Sequence, residues 1–121
     1  MTLQELYEQI GGSYEDALSR LQSDALVGRF IVKFLDDQSC KSLIAAWKAG
    51  DEGAAFEAAH TAKGVCANLG ITGLATQASD ICEALRPGND ALRASTDVDA
   101  LMVQFEAAYQ KAFDGISAFS A

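Results

Sequence analysis

Apolar positions recur three and four residues apart along almost the whole chain, the spacing of one face of a helix. Leu26, Val27, Phe30, Ile31, Phe34 and Leu35 form one such stripe, and Leu43, Ile44, Ala46 and Trp47 another. Leu74, Ala75, Ala78, Ile81, Cys82 and Leu85 form a third. The longest comprises Val98, Leu101, Met102, Phe105, Ala108, Tyr109, Ala112, Phe113 and Ile116, and predicts a helix from Asp97 to about Phe119.

Polar residues and glycines punctuate these stripes. Thr2-Leu3-Gln4-Glu5 reads as a capping box, opening a first helix that Gly11-Gly12 ends. Ser13 caps a short second helix carrying Ala17, Leu18 and Leu21. Ser23 caps a third that stops near Asp36-Asp37. Ser39 is expected to cap the next, which ends at Gly50. Asp51 caps a helix running to Leu69, with Gly70 as its left-handed terminator. Thr72 starts a further helix that Pro87-Gly88 closes. Residues 87–96 form the one real linker, with room for a helical turn.

No run alternates long enough to build a sheet. The expectation is an all-α fold, an antiparallel four-helix bundle with an N-terminal helical extension packed on it. The extension is 1–22 and the bundle 24–118, within one domain spanning 1–121.

Composition narrows the function classes. A chain of 121 residues suits a single core, and one proline among abundant alanine favours helices. The formal net charge of −8 argues against a nucleic-acid surface. No basic region followed by an apolar run opens the chain, so no signal peptide is expected, and no segment is apolar enough to span a membrane. The three cysteines, Cys40, Cys66 and Cys82, show no metal-ligand spacing. They read as buried free thiols of a reducing cytoplasm, with no metal and no cofactor of the chain's own. A monomer is expected.

The chemistry concentrates in residues 55–70, which hold the only histidine. On a helix of about 100° per residue, Ala55, Ala58, Ala59, Ala62, Cys66 and Leu69 share one apolar side. Phe56, His60, Lys63, Gly64 and Ala67 gather roughly 130–150° away, so His60 looks outward with Lys63 and Gly64 one turn on. A glycine inside a helix costs about 0.5–1 kcal/mol relative to alanine. Close approach by something large beside an exposed imidazole would explain Gly64. The short turn at Gly70-Ile71 makes the next helix an antiparallel neighbour, with facing residue numbers summing to about 141–142. His60 then faces Ile81 or Cys82, and Lys63 faces Ala78 or Ser79. Cys66 lies roughly 9 Å along the axis from Cys82, too far for a disulfide.

His60-Thr61-Ala62-Lys63-Gly64, continuing through Ala67-Asn68-Leu69-Gly70 to Leu74, resembles the signature of histidine-containing phosphotransfer (HPt) domains. The resemblance covers roughly residues 24–118. Ala62 departs from it, since the family usually has leucine there, on the buried side. Several HPt proteins carry a glutamine at the position of Cys82, where it steadies the imidazole. Cys82 can do so only weakly, which leaves another residue to orient His60 or the ring loosely held. The resemblance also puts the third helix beside the histidine, where one of its phenylalanines could form a docking rim rather than core. Phe56, Ala67 and Cys82 are the candidate imidazole neighbours or docking residues.

The chemistry is plausible on its own terms. An imidazole of ordinary pKa about 6.5 is mostly neutral at pH 7 and can attack phosphorus without a dedicated base. A phosphoryl group on its Nε2 would lie beside the Lys63 ammonium. No phosphate-binding Gly-rich loop is present, and Thr61 stands where a histidine kinase would show an acidic residue. The chain should therefore carry phosphate rather than generate it. The resemblance implies receiver-domain aspartates as donor and acceptor, with Mg²⁺ supplied by the receiver. A helical adaptor that docks receivers without being phosphorylated is the alternative. A hydrolase or transferase lacks any Ser/His/Asp or Cys/His constellation here.

Overall fold

The computed structural model describes residues 1–121 and is entirely helical. The helices are α1 (Leu3–Gln9), α2 (Tyr14–Leu21), α3 (Asp24–Lys33), α4 (Ser39–Lys48), α5 (Glu52–Asn68), α6 (Thr72–Leu85), α7 (Asp90–Ser95) and α8 (Val98–Ser120). A single 3-10 turn, Phe34–Asp36, follows α3.

Helices α4, α5, α6 and α8 make the antiparallel four-helix bundle. Each packs on its successor, and α8 closes the ring against α4. Short turns at Gly50 and Gly70, both in the left-handed region (φ 75° and 73°), reverse the chain between α4, α5 and α6. The apolar stripes merge into one cluster of buried side chains with no buried charge. On α5 the inward residues are small: Ala55, Ala59, Ala62 and Cys66 are fully buried, which lets α4 and α6 approach the helix closely. Ala58, assigned to the same stripe, is only half-buried.

Helices α1 and α2 lie against the end of the bundle where α5 turns into α6. Tyr7 Oη donates to the Leu69 carbonyl at 2.6 Å, Ser13 N–H to the Gly70 carbonyl at 2.8 Å, and Gly73 N–H to the Gly11 carbonyl at 3.0 Å. A Cβ at Gly70 would come within 2.7 Å of the Ser13 carbonyl, so this junction tolerates only glycine.

The helix starts follow the caps read from sequence. Thr2 and Glu5 complete a capping box, and Ser13, Ser23, Asp51 and Asp97 each accept from the backbone three residues on. The start of α4 is a correction. Ser39 is already helical, and Asp37 accepts from its backbone N–H at 2.9 Å. The Ser39 hydroxyl donates to the same carboxylate at 2.5 Å instead of accepting from the first turn of the helix. The chain also leaves α-helical geometry earlier than Asp36-Asp37, through the 3-10 turn after Lys33.

Candidate functional site

Helix α5 carries the candidate chemistry on its solvent side. His60 and Gly64 are exposed, while Phe56, Lys63 and Ala67 are half-buried around them. The Phe56 ring, one turn before His60, stacks against the imidazole at 6.5 Å between centroids and 26° between planes. A Cβ built at Gly64 meets no heavy atom within 4 Å. Gly64 therefore makes no packing contact that demands glycine, and the space beside His60 is open.

Helix α6 forms the neighbouring wall. Cys82 is fully buried, and burial pushes its thiol up, opposed by the positive charges of Lys63 and Arg86. Its sulfur is 4.0 Å from an Arg86 nitrogen, so it belongs to the wall under the site and not to its exposed rim. Arg86 grips Glu83 through two nitrogens, at 3.0 and 3.2 Å, and lies over the Phe56 ring at 5.3 Å. The Arg86 guanidinium holds the Glu83 carboxyl below its usual range, with further help from Lys63 and His60. The sequence reading missed Glu83 and Arg86. Their i, i+3 spacing directly after the level expected to face His60 is the signal that would have found them.

Each neighbour thus has a role that its chemistry permits. Phe56 lies beside the imidazole, and Arg86 lies over the other end of this cluster on the Phe56 ring. Lys63 supplies positive charge one turn along. Gly64 leaves the approach clear. No group of acidic, histidine or cysteine side chains gathers closely enough to hold a metal ion.

Away from this face, the α3 phenylalanines divide. Phe34 is core, at 2% exposure, and Phe30 is 36% exposed. Cys66 packs beside Cys40 across α4 and α5, and that contact together with burial raises its thiol pKa. All three cysteines are free and buried.

The fold is an all-helical bundle with its one histidine exposed on α5. Residues 25–114 match the Hpt domain, and the chain belongs to that family. Comparison with curated proteins and with solved structures gives no match. Membership assigns a phosphotransfer role in two-component signalling, in a family of phosphocarriers that interact with receiver domains. No helix is long and apolar enough to cross a membrane.

Proposed function

We propose that His60 is the phosphoacceptor of a phosphorelay. Its Nε2 attacks the phosphorus of a receiver's phosphoaspartate, so that an N–P bond forms and the acyl O–P bond breaks, releasing the aspartate as carboxylate. The same steps reversed hand the phosphoryl group to an aspartate of another receiver. Lys63 offsets the charge of the phosphoryl oxygens, and Gly64 admits the receiver's loops. Mg²⁺ is the receiver's contribution, and the chain needs no cofactor of its own.

The observation that supports this reading most is the unobstructed position at Gly64 beside an exposed, ring-stacked His60. A helix-interior glycine with nothing packed on it gives up about 0.5–1 kcal/mol of helix stability for no structural return. Access to the imidazole supplies the missing reason.

The test is transfer from a phosphorylated receiver domain to the wild-type chain and to His60→Gln. Label should reach the wild type as an acid-labile, alkali-stable adduct and should not reach the variant. A wild-type chain that binds the receiver yet never gains phosphate would make the protein a docking adaptor instead.

A further inference from the structure

The ion pairs of the molecule differ in what they join. Lys48–Glu106 ties α4 to α8, and Arg93–Glu52 ties α7 to α5. Glu83–Arg86 ties no two helices together, because it lies within the last turn of α6 and the residue that ends it. Both of its side chains are well exposed, at 42% and 40%, and an exposed pair at this spacing contributes little to folding. Its place in the molecule is more telling. The Arg86 guanidinium lies over the Phe56 ring at 5.3 Å, and that ring stacks on His60. The Glu83 carboxyl, held below its usual range chiefly by Arg86, also feels the positive charges of Lys63 and His60.

Two cations and one carboxylate therefore stand on the α6 side of His60. A phosphoryl group on the imidazole brings close to two negative charges to this face. Its oxygens are strong acceptors for a guanidinium, which can grip them with two nitrogens as it now grips Glu83. An exposed ion pair opens readily to exchange one partner for another. The carboxylate of Glu83 then opposes the phosphoryl group twice, by claiming Arg86 and by its own charge.

We infer that Glu83 is a positioning residue of the phosphotransfer site: it holds Arg86 while His60 is bare, competes with the phosphoryl group for that guanidinium once His60 is loaded, and so weakens the chain's hold on its phosphate. The inference rests on the phosphocarrier reading above. A relay intermediate has to surrender what it accepts, and a competing carboxylate beside the site favours release. Glu57 supplies the contrast. It is an exposed carboxylate on α5 three residues before His60, but it lines a polar groove against α4 with Ser39, Ser42 and Thr61, away from Arg86.

The test brings the full chain to equilibrium with a receiver domain that exchanges phosphate with the wild type, and reads the ratio of phosphorylated chain to phosphorylated receiver. Glu83→Gln should raise that ratio about threefold or more, the size of one exposed charge interaction, and the rise should shrink in high salt. Glu57→Gln should change it much less. Arg86→Gln should lower the ratio, and Glu83→Gln added to Arg86→Gln should have a much smaller effect than in the wild type. Urea midpoints should stay near wild type in every variant. An unchanged or reduced ratio in Glu83→Gln, an equal rise in Glu57→Gln, or an undiminished rise in the Arg86→Gln background would overturn this role for Glu83 while leaving His60 as carrier. Phosphate that reaches His60→Gln as it reaches the wild type would overturn the carrier reading, and the role of Glu83 with it.

Discussion

At Gly64 an added side chain enters open space, so stability and access can be separated there. Gly64→Ala should raise stability by up to about 1 kcal/mol, the helix-propensity difference, measurable as a higher urea midpoint. Gly64→Gln should fold as well as wild type and accept phosphate from phosphoramidate, yet lose an order of magnitude or more in transfer from a receiver, about the 1.4 kcal/mol of a modest clash. Normal transfer in Gly64→Gln would leave the glycine without a functional explanation. Lys63 is not among the ion-paired residues, so Lys63→Ala should leave the urea midpoint nearly unchanged. Its phosphorylated form should be shorter-lived or form more slowly, as followed by the decay of label in buffer. An unaltered lifetime and transfer rate would remove Lys63 from the site. The Glu83–Arg86 pair is readable from its i, i+3 spacing, but the face it takes beside α5 depends on the rotation of α6 about its axis, which periodicity fixes only to within a residue or so.

Among the elements, α5 is held at its far end by the N-terminal segment. The Leu69 carbonyl at the end of this helix is satisfied by the buried Tyr7 hydroxyl. Tyr7→Phe removes that donor and strands a buried acceptor, which should cost about 1–3 kcal/mol in urea unfolding. Phosphoramidate labelling of His60, more than two turns away along α5, should be unaffected. A wild-type urea midpoint in Tyr7→Phe would show that the hydrogen bond does not secure the junction. Helix existence and order were readable because each apolar stripe keeps a helical period and most boundaries carry a hydroxyl, carboxylate or glycine with a known capping role. Ser39 misled because its hydroxyl and its backbone N–H both donate to Asp37, two residues earlier, and Ser39 is itself the first helical residue.

For the molecule as a whole, the core was legible in outline, but the polar atoms buried within it were not. The hydroxyl of Tyr109 is buried without a hydrogen-bond partner, and burial, chiefly, pushes its pKa up to about 12. Between the ordinary tyrosine value near 10 and about 12, the unfolded chain loses this proton while the folded chain keeps it. The contribution is therefore complete below pH 10 and lost as pH rises through 12. Buried Tyr7 is shifted in the same direction. Tyr109→Phe should match or exceed wild-type stability at pH 8 and should lose less between pH 10 and 11, by urea midpoints at each pH. An identical alkaline decline in the variant would contradict this role for the hydroxyl.

The account turns on where the phosphoryl group resides. Mass spectrometry of the chain after mixing with a phosphorylated receiver, with peptides kept alkaline to preserve an N–P bond, reads this directly. We expect one phosphoryl group, on His60, absent from His60→Gln and lost on brief acid treatment. Phosphate on a serine, threonine or aspartate, or its persistence in His60→Gln, would contradict the account.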